Sequence, residues 1–191
     1  MAIIHHTTMK PTKLELLAEW LPKQPWYVGE PGARPELAKA GGFRLDDPAG
    51  VVGIEFMVVN DTAGERPVSY HVPMTYRSEP LPGGALVGTS EHGVLGLRRL
   101  YDATTDPVFR AEVRALLAGT AVAQMQSVND TPDPTVTARL DAGAEAGEGA
   151  ITVCRVLHPA PADAGAARGD ITAGWKLPDG TEARGRFVVL G

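Results

Sequence analysis

Two neighbouring runs, GVVGIEFMVVND (50–61) and PVSYHVPMTY (67–76), constrain the fold of this chain more than any other feature. The first is almost wholly apolar, rich in Val and Ile, and halted by Asn60–Asp61, which is the pattern of a buried strand. The second alternates. Val68, Tyr70, Val72 and Met74 fall on one side, and Ser69, His71 and Thr75 on the other. The link between the two runs is too short to hold a crossover helix, so they pair antiparallel.

Further strands are predicted over ALVGT (85–89), GVLGLRRLYD (93–102), TAVAQMQSV (120–128), TVTARL (135–140), ITVCRVL (151–157), DITAGWKL (170–177) and EARGRFVVL (182–190), and a short one over Ala2–Thr8. Pro178-Asp179-Gly180 turns the last two into a hairpin. Only two helices are signalled. Thr12 and Glu15 form a capping box ahead of the apolar face Leu14, Leu17, Ala18 and Leu21, and Pro22 ends the run. Asp106 caps the second, with Pro107 at its first position, Val113, Leu116 and Leu117 as its core face, and Gly119 at its C-terminal end. Between 23 and 42 the three prolines predict a loop, with one helical turn near Glu36–Ala40. Repeated β-α-β units are absent from this pattern, which excludes a Rossmann or barrel enzyme. The class is α+β, a mainly antiparallel sheet with two flanking helices. The stiff TPDPT segment (131–135) is the expected boundary between residues 1–130 and a small all-β antiparallel region, 131–191, that either continues the same sheet or forms its own.

Charge and cysteine usage narrow the function classes. Lys and Arg number 18 against 23 Asp and Glu, a net charge of −5, so the basic surplus of a nucleic-acid or anionic-membrane binder is missing. Cys154 is alone, which rules out an intramolecular disulfide and any cysteine-rich metal site. Neither a membrane-length apolar run nor a secretory pattern in MAIIHHTTMKP is present, and the expected location is the cytoplasm.

Five groups of residues invite a chemical reading. Ser90, His92 and Asp102 have the side chains of a hydrolytic triad, but GTSEHG (88–93) departs from the G-x-S-x-G elbow and precedes a strand, so a polar turn is the expected reading. Gly83, Gly84, Gly88, Gly93 and Gly96 form no phosphate loop, because no Lys-Ser/Thr follows them. His5, His71 and His92 sit on segments that are candidates for neighbouring strands, and solvated polar positions on the sheet explain them better than a metal; no metal or other cofactor is expected. Trp20, Trp26 and Tyr27 are suited to stack a sugar ring, and equally to pin the first helix and its trailing loop onto the sheet; packing is favoured. Arg98 and Arg99, adjacent on a strand, face opposite ways and make no joint anion clamp.

Two stretches carry a family resemblance. LELLAEWLPKQPWYVGE (14–30) resembles the opening helix and Q-R-W-[FY] segment of the N-terminal cap domain of actinobacterial maltokinases and related aminosugar kinases. YHVPMTYRSEPLPGGALVGTSEHGVLGLRRLYDATTDPVF (70–109) resembles the rest of that cap, with its Y-x-V-P-L-[TS]-Y-R, G-x-x-E-H-x-V-L-G and Y-D-[AG]-x-x-D-P motifs in order. The resemblance spans about residues 1–128 and implies a curved, cystatin-like antiparallel sheet, which in the family sits above a kinase body. Pro25 replaces the family's usual arginine, and Glu30 stands where a lysine is common. The segment after the cap has Lys176 as its one lysine and no catalytic-loop pattern, so kinase residues have no positions to which they transfer.

The expectation is therefore a stand-alone, non-catalytic binding module tied to α-glucan, maltose or trehalose metabolism, with a kinase or glucan enzyme as its protein partner. The alternatives are a binder of a small sugar or nucleotide on the concave sheet face, and a degenerate phosphotransferase or hydrolase. Trp26, Tyr27, His71, Tyr76, Glu91 and His92 are the candidate ligand-contacting residues.

Overall fold

A computed structural model describes residues 9–30, 32–128, 130–147, 149–159 and 167–191. The expected strand Ala2–Thr8, with His5 and His6, lies outside the described residues.

The strands are β1 (Met9–Lys10), β2 (Leu37–Asp46), β3 (Gly53–Asp61), β4 (Val68–Arg77), β5 (Leu86–His92), β6 (Gly96–Asp102), β7 (Gln124–Met125), β8 (Thr137–Leu140), β9 (Ile151–Val153), β10 (Val156–Leu157), β11 (Gly169–Lys176) and β12 (Glu182–Leu190). Helix α1 spans Lys13–Trp20 and α2 spans Pro107–Leu117. Among the described residues the strands pair antiparallel and join one sheet in the order β1-β5-β6-β4-β3-β2-β11-β12-β9, with β10 on β4, β7 on β2 and β8 on β11. The α+β, curved-sheet class predicted from sequence is the one observed.

Alternation along β3 and β4 divides the core between the two sheet faces. Met57, Val59, Tyr70, Val72 and Met74 pack with Leu17, Trp20 and Leu21 of the α1 segment. Ile54, Phe56 and Val58 face the other way and share a core with Phe43, with Phe109 and Val113 of α2, and with Ile171, Trp175 and Phe187 of β11 and β12. A two-residue period thus builds two apolar layers from one pair of strands. Both faces of the central strands are therefore covered.

The helices start as predicted. Thr12 Oγ1 accepts from the Glu15 amide (3.3 Å) while Glu15 returns a carboxylate oxygen to the Thr12 amide (2.7 Å). Asp106 accepts from the Val108 amide (2.9 Å), and Gly119 follows α2 with φ +73°.

Three local expectations are corrected. Residues 37–40 are strand, not a helical turn, because β3 offers a complete ladder: Leu37 faces Asp61 and Ala38 faces Asn60. A bulge at Ala40 then brings in Gly42, whose φ is +120° and where a Cβ would lie 1.8 Å from the Phe56 carbonyl oxygen. Only glycine fits that approach. Ser90, Glu91 and His92 belong to β5 rather than to a turn, since β6 pairs them with Arg98, Leu97 and Gly96. Of the strand predicted over 120–128, only Gln124–Met125 is paired.

Candidate functional site

The six sequence-predicted residues lie in four different places. Trp26 and Tyr27 belong to a strap that follows α1 and closes over its core layer. Tyr27 stacks on Tyr70 (5.4 Å between centroids) and donates to Asp61 Oδ2 (3.1 Å), and Trp26 lies 5.8 Å from Trp20 and 6.1 Å from Tyr70. Burial and the Asp61 carboxylate push the Tyr27 phenol up to about 12. The strap is fixed at its end too, where the Val28 amide donates to Tyr70 Oη (3.1 Å).

His71 is fully buried on the opposite face, 4.5 Å from the Phe187 ring and 5.8 Å from Phe56. Its Nδ1 lies 3.1 Å from the Cys154 carbonyl, and burial, together with nearby Arg155, lowers its pKa to about 3. This corrects the reading of His71 as a solvated polar position. The polar-looking side of β4 faces a second apolar layer built by α2 and the C-terminal strands.

Tyr76 joins a cluster that sequence reasoning missed. Lys13, at the start of α1, places Nζ 2.9 and 2.7 Å from the two oxygens of Glu55, Gln126 Nε2 donates to Oε1 (2.9 Å), and the Tyr76 hydroxyl donates to Oε2. The lysine also lies 5.5 Å from the centre of the Tyr76 ring. Burial works to raise the Glu55 pKa, but Lys13 and Tyr76 outweigh it and hold the carboxyl below its ordinary value. Conversely, burial and Glu55 push the Tyr76 phenol well above 10. The sequence did contain a signal: Glu55 is the one charge inside GIEFMVVN, and a carboxylate in a buried strand needs a partner.

Glu91 and His92 stand at the end of the β5–β6 hairpin, beside Lys10, in a shallow surface depression. His92 Nδ1 accepts from the amides of Val94 (3.3 Å) and Leu95 (3.1 Å), and so shapes the turn. Ser90 donates to the Pro11 carbonyl (2.7 Å), while Asp102 accepts from Thr104 (3.0 and 2.8 Å) and from Arg155 Nη2 (2.5 Å). These bonds send Ser90, His92 and Asp102 to three different partners. Among the described residues no group of His, Cys, Asp or Glu is arranged to hold a metal ion, and no helix is long and apolar enough to cross a membrane.

Arg77 makes a two-point contact with Asp106 (2.7 and 2.8 Å), tying β4 to the N-terminus of α2. Arg155 bridges further. Its guanidinium lies 4.8 Å from the centre of the Trp26 ring while bonded to Asp102, in the gap that β6 and β10 leave along the edge of β4.

Residues 20–106 match the family model described as the maltokinase N-terminal cap domain. This segment is maltokinase-cap-like. No curated protein and no solved structure matches the chain. Within the cap-like segment the motif residues hold the fold together. Tyr76 holds Glu55, Arg77 holds Asp106, Ser90 holds the turn before α1, His92 shapes the hairpin end, and Asp102 holds Arg155.

Proposed function

We propose that this chain is a non-catalytic interaction module of the maltokinase-cap type, which docks through its β5–β6 hairpin on a protein of α-glucan, maltose or trehalose metabolism, a kinase body first among them. One observation carries the reading. The cap-motif side chains are spent on internal joints, while the hairpin they brace leaves three apolar side chains in solvent at its turn end: Val94 at 61% exposure, Leu95 at 42% and Leu97 at 41%. An exposed apolar cluster on a braced element is the usual form of a protein-docking surface. The brace is tight. Leu16 of α1 lies where a Cβ on Gly88 would meet it at 2.6 Å, and Ser90 anchors the chain entering the helix.

The test is affinity purification of the tagged chain from its native cell, beside the Leu95→Asp variant. A kinase or glucan-active enzyme is retained by the wild type and lost from the variant, whose melting temperature is unchanged because Leu95 sits in a solvent-facing turn. Retention of no such enzyme, or equal retention by both chains, contradicts the reading.

A further inference from the structure

Opposite the core side of β8, β11 and β12 lies an outward face of arginines and threonines, in a chain whose net charge is −5. Thr137 faces Thr172 across β8 and β11, Thr172 faces Arg186 across β11 and β12, and Arg184 faces Gly174. Gly174 has no side chain to obstruct the Arg184 guanidinium, which reaches across β11. Its Nη1 donates to the Thr135 carbonyl, and its Nη2 donates to Thr137 Oγ1 (2.6 Å) and Thr172 Oγ1 (2.8 Å).

The hydroxyl hydrogens follow from this arrangement. A guanidinium only donates, so both threonine oxygens act as acceptors toward Arg184 and turn their own O–H outward. Among the described residues neither hydroxyl finds an acceptor, and Arg184 has no carboxylate partner. Two carboxylates of this face pair at its other end, and Glu182, two residues before Arg184 on the same side of β12, makes no ion pair with it. Asp170 is held by Arg139 (2.8 and 3.0 Å) with Arg186 at 4.0 Å, and Asp141 sits on the outer nitrogen of Arg139. The Arg184 end therefore presents a fixed cation without an ion-pair partner, beside two threonine hydroxyls free to donate.

We propose that this face is a binding site for a phosphate group, free or esterified, centred on Thr137, Thr172 and Arg184. The donors come from three strands, with neighbouring strands about 4.8 Å apart, so an anion that satisfies them offers oxygens in several directions. A tetrahedral phosphate, with three or more terminal oxygens, meets more of these donors at once than a planar carboxylate. The hydroxyls donate to its oxygens, and Arg184 places positive charge beneath them. This site is separate from the hairpin and does not depend on how the hairpin is used.

The test titrates the full chain with inorganic phosphate and, in parallel, methyl phosphate, in low-chloride buffer, following amide chemical shifts. The wild type shows saturable shifts confined to β8, β11 and β12. Arg184→Leu weakens binding about tenfold or more, and Thr137→Val with Thr172→Val does the same, as expected for lost charge-assisted donors. Arg98→Leu, on the distant hairpin, leaves it unchanged. Binding of inorganic phosphate alone identifies a free-ion site, and binding of both ligands identifies a phosphomonoester site. If Arg184→Leu is unfolded by its melting profile, the two threonine variants decide, since Thr137 is exposed. No saturable shift, equal weakening by Arg98→Leu, or threonine variants that bind like the wild type would overturn the proposal.

Discussion

At the residue scale, the charged groups in the core are those whose partners the fold supplies. Glu55 keeps its charge because Lys13, Gln126 and Tyr76 surround it. Replacing it by Gln keeps the shape, removes the charge, and leaves Lys13 half-exposed without its counter-ion. A loss of about 2–4 kcal/mol is expected from urea unfolding, toward the lower end because Lys13 regains water. His71 sets a pH dependence of the opposite origin. Its folded pKa, about 3, lies below the ordinary histidine value of 6.5, so the unfolded chain takes up the proton first. The contribution is complete above pH 6.5 and is lost as the pH falls from there toward 3. Thermal melts between pH 6.5 and 5 should show wild-type stability falling, with His71 contributing up to about 1.4 kcal/mol per pH unit. A His71→Phe chain, whatever its absolute stability, should lack that part of the slope.

At the element scale, what anchors each helix was partly legible in the sequence. Both caps were, because a cap is local: Thr12 with Glu15, and Asp106 with Pro107, announce themselves within four residues. The second use of Asp106, as the acceptor of Arg77 from β4, was not, since it depends on a contact between positions 29 apart. This double role separates two variants. Asp106→Asn retains an N-cap acceptor and loses the charge and one of the two oxygens that accept from Arg77, whereas Asp106→Ala loses both the cap and the buried partner for Arg77 altogether. By chemical denaturation the alanine variant should be less stable than the asparagine variant by about 1–2 kcal/mol. The misread segment at Leu37–Ala40 has the same cause as the missed ion pairs. Its local sequence is compatible with a helical turn, and only the ladder on β3 decides against it.

For the molecule as a whole, residues beyond the cap-like segment complete its core. Ile171, Trp175 and Phe187 pack with Phe43 and Phe56, β11 meets β2 at Trp175 and Gly41, and Arg155 clasps Trp26 and Asp102. Calorimetry should therefore give one unfolding transition for the chain, and two resolved transitions would contradict this coupling. Arg155→Met should shift the fluorescence of the strap and lower the midpoint while keeping a single transition. Of the candidate site, the sequence made the individual side chains visible but not their company. Alternation along β4 put Tyr76 and His71 on opposite faces, a division visible in PVSYHVPMTY, yet what covers each face came from α1, α2 and the distant C-terminal strands. The exposed hairpin was least legible, because Val94, Leu95 and Leu97 have the composition of a buried strand, and only the absence of a covering element among the described residues sets them apart. The central claim, that the cap-like fold exists to present this hairpin, is tested most directly by hydrogen exchange on the chain alone and in complex with the enzyme it retains. The account predicts protection on binding concentrated in residues 86–97, with α2 and β12 unchanged; protection placed elsewhere, with the hairpin exchanging as in the free chain, would contradict it.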